Sequence, residues 1–217
     1  MQKIIPLTLY ALLSTASLAA EQDAPELRRI TAPEFSSAII NQVIIPQYEQ
    51  FEAASQQLKS ASQALCQNLS PAALSQAQQA YADTLSAWRK IEVAPIGPSN
   101  NVANGQLLEA TPSKMSVIVA QSALTPAHNM ADGEALQRAL SLHEGSIGLP
   151  AVSAILYNGT PTQSIDALRQ GKNCAYLQWQ SQAVSRHIVT QQYEWNGLSR
   201  GIAYDMSYPS RFIAEYL

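Results

Sequence analysis

From Pro33 to Cys66 the positions Ile40, Ile44, Tyr48, Phe51, Ser55, Leu58, Ser62 and Leu65 recur at alternating spacings of four and three. That spacing predicts one stripe of a long amphipathic helix. Pro46 falls inside the run and is expected to kink or break it, because its ring removes a backbone donor. Ser70-Pro71 then predicts a helix start, with serine as the cap and proline in the first turn. The second stripe runs through Leu74, Ala77, Tyr81, Leu85, Trp88 and Ile91. The short link between the two stripes makes them antiparallel neighbours.

Residues 94–113 change character. Pro95, Gly97, Pro98, Asn100, Asn101, Asn104, Gly105 and Pro112 predict a long irregular loop, of the kind that is functional in a compact domain. Helical pattern resumes at Ser113–Leu124 and at Asp132–His143. Gly145 and Gly148 interrupt it, Gly148–Tyr157 is a short apolar segment, and a long helix is expected from Asn173 to Trp195. No alternating strand pattern of useful length occurs, so the expected fold class is all-α, a bundle of long antiparallel helices.

The first twenty residues read differently. Lys3 supplies a positive start, Ile4–Leu13 an apolar run, and Ser17-Leu18-Ala19 a small-x-small cleavage pattern. We read 1–20 as a signal peptide, too short to span a bilayer. The organisation expected is 1–20 signal peptide and 21–217 helical domain. Within it, 21–160 would form a first bundle and 161–217 the start of a second, incomplete one. The mature product is expected to be exported to the periplasm or cell envelope, with no transmembrane segment.

Composition then narrows the function classes. The 217 residues are 47% hydrophobic and only 13% charged, with 13 Lys+Arg against 16 Asp+Glu. No cationic excess exists to neutralise phosphates, which argues against a nucleic-acid partner. The two cysteines, Cys66 and Cys174, suggest one disulfide in an oxidising compartment, with two buried free thiols as the alternative.

Candidate chemistry is sparse. His143-Glu144 resembles half of a zinc motif, but Ile147 stands where the second histidine belongs. His143 is therefore read first as a helix-end residue, with His143 and Glu144 kept as weak metal candidates for iron or zinc. His187 has only Arg186 beside it and is read as structural, on the surface. Glu92 and Glu109 flank the long loop and could pair as carboxylates. Trp88, Trp179 and Trp195 read as core anchors before ligand-stacking rings.

Several segments together resemble one family. They are VIIPQY (Val43–Tyr48), Leu65-Cys66, W-x3-E-x4-GP (Trp88, Glu92, Gly97, Pro98), GLPAVSAILY (Gly148–Tyr157) and NCAYLQ (Asn173–Gln178). In that order, from Ala38 to Trp195, they resemble the imelysin family, also called peptidase M75. The resemblance implies a helical-bundle protein of the periplasm or outer membrane associated with iron uptake, in a family whose founding members were described as metal-dependent peptidases. It also implies a metal motif GxHxxE, whose His and Glu share a helix face. Here Gly148 is kept, but the His position holds Pro150 and the Glu position Ser153, and neither is a metal ligand. The expected protein is therefore a non-catalytic binding or interaction protein. A metallopeptidase with a rebuilt site, or a structural helical module, are the alternatives. Trp88, Glu92, Glu109, Gly148 and Ser153 are the weak binding candidates. The family's second helical half looks shortened, which would favour self-association or an envelope protein partner.

Overall fold

A computed structural model describes residues 29–93, 96–126, 132–202 and 214. The signal-peptide segment 1–20 and almost all of the tail after residue 202 lie outside the described residues. The chain from Thr31 onward forms one compact unit; of the residues before it only Arg29 and Ile30 are described.

Every described element is helical. Helix α1 (Ala32–Ile39) begins at a capping box, with Thr31 Oγ1 accepting from the Glu34 N–H and the Glu34 carboxylate accepting from the Thr31 N–H at 2.9 Å. A π-helical turn, Ile40–Ile44, joins it to α2 (Ile45–Gln67). This turn answers the problem set by Pro46. The Ile45 N–H reaches back five residues to the Ile40 carbonyl, so the wider turn carries the missing donor and the chain continues without a break. All eight positions of the first stripe are buried.

Helix α3 (Pro71–Ile91) starts where Ser70-Pro71 indicated, with Ser70 Oγ accepting from the Ala73 N–H. Phe51 of α2 lies against Trp88 of α3, ring centroids 5.7 Å apart, which with the short link makes the pair antiparallel. The stripe of α3 is turned slightly from its expected register. Tyr81 and Leu85 are half-buried, whereas Ala80, Thr84 and Ala87 are buried. Small residues at the closest approach let the backbones draw together, and Thr84 Oγ1 bonds the Ala80 carbonyl at 2.7 Å.

Five further helices complete the unit: α4 (Val102–Asn104), α5 (Met115–Ser122), α6 (Asp132–Leu140), α7 (Gly148–Leu156) and α8 (Pro161–Arg169), followed by the 30-residue α9 (Asn173–Ile202). Helix α8 was not anticipated, although Thr160-Pro161-x-Gln163 spells a capping box that the structure forms. Residues 97–109 correct the expectation of an irregular loop. They fold as a 3-10 turn (Gly97–Ser99), α4, and a second π-helical turn (Gly105–Glu109).

Helix α9 runs antiparallel to α2. Cys66 is bonded to Cys174, Ser62 to Ser181, and Tyr48 packs on Trp195, so the partners descend on one helix as they ascend on the other. Residues 161–202, read from the sequence as the start of a second bundle, thus lie in the same compact unit as 31–160. Ser181 Oγ donates to the Leu177 carbonyl at 2.8 Å, so its one proton is used and Ser62 Oγ donates to it at 2.9 Å. Ser55, Ser62, Ser181 and Ser185 are all buried. The serine-rich, charge-poor composition is that of helices packed backbone to backbone.

Candidate functional site

The family-like segment Gly148–Leu156 is α7, and its start is tightly constrained backbone. Gly148 has φ +60°, and a Cβ built there would lie 2.0 Å from the Leu107 carbonyl oxygen. Only glycine fits both the left-handed backbone and this approach. The Gly148 N–H, one of the donors that a helix start leaves without an internal partner, is taken by Gln180 Oε1 of α9 at 2.9 Å. Gln180 is fully buried, and its Nε2 has no partner. Nearby, Tyr176 Oη donates to the Ser146 carbonyl at 2.6 Å. Burial pushes the Tyr176 phenol up to about 12.

Pro150 is buried in the first turn of α7, where the absent N–H costs nothing. Ser153 is half-buried on the same helix, and its carbonyl accepts the Tyr157 N–H at 3.0 Å. The two positions share a helix face with no ligating atom from Pro150.

A second constellation joins the 97–109 segment to the bundle. His187 of α9, 4% exposed, meets Asn104 Oδ1 through Nε2 at 2.5 Å. The Asn104 amide nitrogen donates to the Ser99 carbonyl at 2.6 Å, which fixes the amide orientation and makes His187 Nε2–H the donor. Ser99 Oγ accepts from Trp195 Nε1 at 3.2 Å and shares a hydrogen bond with Tyr48 Oη at 3.0 Å. Burial alone pushes the His187 imidazole down to about 4. Burial also raises the Tyr48 phenol, against smaller opposing effects of its bonds to Ser99 and Trp195. The surface role expected of His187 is therefore corrected: its structural role is that of a buried anchor. Its helical register with Gln191 and Trp195, four and eight residues on, was the signal that could have shown it.

The remaining candidates scatter. His143 follows α6 rather than ending it, exposed, with Nδ1 2.6 Å from the Glu144 carbonyl oxygen. Glu144 is exposed as well. Glu92 forms a 2.6 Å ion pair with Arg89, and Glu109 is exposed at the end of its π-turn. The Glu92 carboxylate chiefly, with a weaker field from Glu109, raises the Arg89 guanidinium. The two glutamates thus act on a common cation, a different arrangement from an acid–base pair. Trp88 is 2% exposed and stacked near Phe51, and its indole N–H has no partner. Trp179 and Trp195 are buried too. Among the described residues, no three His, Cys, Asp or Glu side chains gather as a metal site. Cys66 and Cys174 form the disulfide, 108 residues apart in sequence. Two open grooves, of about 440 Å³ beside Met115, Gln163 and Asn173 and about 460 Å³ beside Glu34, Asn41 and Ser199, contain none of the candidates.

These features define an all-α bundle whose motif helix is clamped by a folded connecting segment. The family model for imelysin (peptidase M75) matches residues 44–212, well over half of the chain, and the chain belongs to that family. A search of curated proteins and one of solved structures each found no match. No described helix is long and apolar enough to cross a membrane.

Proposed function

We propose that this imelysin-family chain is an exported bacterial cell-envelope protein that works by binding or interaction, in association with iron uptake, rather than by peptide hydrolysis. The observation that carries the reading is at α7. The positions at which the resemblance places His and Glu hold Pro150, buried and without a donor atom, and half-buried Ser153. A metal-activated water needs ligands to hold the ion, and the alternative pair His143 and Glu144 points into an exposed turn between helices. The signal-like start at 1–20 supports export, and the Cys66–Cys174 bridge suits an oxidising compartment.

The test is genetic. In the bacterium that carries it, deletion is expected to slow growth under iron limitation, and both the wild-type gene and a His143→Ala/Glu144→Ala version are expected to restore it. Normal growth of the deletion strain under iron limitation overturns the link to iron. Restoration by the wild-type gene only, together with EDTA-sensitive peptide cleavage by the purified protein, favours a rebuilt metallopeptidase site instead.

A further inference from the structure

Residues 97–104 lie across the α2–α9 pair as a strap, and the strap is held there by polar contacts to one face of α9. His187 and Trp195 stand two turns apart on that face and hold Asn104 and Ser99 in turn. Gln191 lies between them, buried, with its Oε1 unpartnered. The strap contributes few apolar anchors of its own: Ile96 is buried just before it, and Val102 is 84% exposed. Beyond Gly105 the attachment changes in kind. Leu107 and Leu108 are buried, and the Ser113 N–H bonds the Gly145 carbonyl at 2.7 Å, none of which titrates. At Gly105 itself an added Cβ would meet nothing within 4 Å, and a glycine there imposes no side-chain restriction on a turn of the backbone.

We propose that residues 97–104 are an acid-released strap: protonation of His187 at Nδ1 opens it about Gly105 and uncovers the Tyr48–Trp195 edge of the α2–α9 pair. A charged ring is poorly solvated while the strap is closed. His187 Nε2–H is already given to Asn104, and the residue is only 4% exposed. On the strap His187 meets Asn104, and along α9 stand Arg186 beside it, Gln191 one turn on and Glu194 two turns on. Of these Arg186 and Glu194 are charged and both are exposed; the Glu194 carboxylate accepts from Gln191 Nε2 at 3.2 Å. Gln191 Oε1 is neutral and offers no countercharge. Opening lets water solvate the imidazolium, so acid favours the open form.

The size follows from the two protonation equilibria. With the closed ring at about 4 and the open ring at the ordinary value of about 6.5, the open-to-closed ratio rises about twentyfold between pH 7 and pH 5. Hydrogen exchange of the full chain, followed by mass spectrometry and corrected for intrinsic rates, tests it. Peptides covering 97–104 are expected to open about twentyfold more at pH 5 than at pH 7, and to exchange faster than α2 and α3 at both pH values. His187→Gln, whose amide can still donate to Asn104, is expected to lose this dependence. Should that variant not fold, His187→Met serves instead: its side chain gains no proton, and opening of the strap is expected to be the same at the two pH values. No change between the two pH values, exchange of 97–104 no faster than that of α2 and α3 at pH 5, or an undiminished rise in the variant that folds would each overturn the proposal.

Discussion

Gly148 and Leu107 approach so closely that the 107 carbonyl oxygen occupies the place of a Cβ on residue 148. The π-turn ending at Glu109 is thereby seated on the first turn of α7. A side chain at 148 must push the two segments apart and also bear a left-handed backbone, which alone costs about 1–2 kcal/mol. Gly148→Ala is therefore expected to lose at least about 2 kcal/mol of stability, read as a lower urea midpoint with an unchanged slope. A midpoint within error of the wild type would show that the approach relaxes freely.

The disulfide gives a second prediction. Cys66–Cys174 closes 108 residues of chain, for which the chain-entropy account gives about 4–5 kcal/mol. Cys66→Ala/Cys174→Ala, or the wild type under reductant, is expected to melt well below the oxidised protein. Thermal melts with and without dithiothreitol check this, and the double variant should show no response to the reductant.

Acid should weaken the whole fold as well as the strap. The His187 ring titrates at about 4 when folded and near 6.5 when unfolded, so the unfolded chain binds its proton first. The stability due to the neutral buried ring is complete above about pH 6.5 and is lost as pH falls toward 4, to a total of about 3 kcal/mol. Denaturant melts at pH 7 and pH 4.5 should differ by much of that amount more in the wild type than in His187→Gln.

Tyr176→Phe removes the one donor to the Ser146 carbonyl beside the start of α7. A buried acceptor left unpaired costs about 1–3 kcal/mol. By contrast His143→Ala and Glu144→Ala, both at exposed positions, are expected to stay within about 0.5 kcal/mol of the wild type. Equilibrium unfolding of the three variants side by side tests the contrast.

How far the sequence could be read depended on what kind of signal each element carried. The stripe from Ile40 to Leu65 is periodic, and periodicity survives any choice of partner; every one of its positions is buried. Ser70-Pro71 is a local start signal and worked locally. Pro46 was legible as a disturbance, but that the chain widens into a π-turn and continues unbroken is seen only in the fold. In the 94–113 region, prolines, glycines and asparagines resembled a loop. Of these, Gly97–Ser99, Val102–Asn104 and Gly105–Glu109 form turns of helix, and Asn104 and Ser99 are bonded to His187 and Trp195 far along the chain. Trp88 was legible as a core anchor, whereas its pairing with Phe51 was not.

The sequence by itself thus determined the helical class, the first two helices, the family resemblance and the ligand-poor α7, because composition, period and side-chain identity are local properties. Tertiary structure alone decided that Gly148 must be glycine, that Gln180 receives its N–H and that His187 is a buried anchor. Those outcomes rest on contacts between residues 32 to 83 positions apart. Burial and hydrogen-bond partnership are set by which helices meet, and no window of neighbouring residues contains that information.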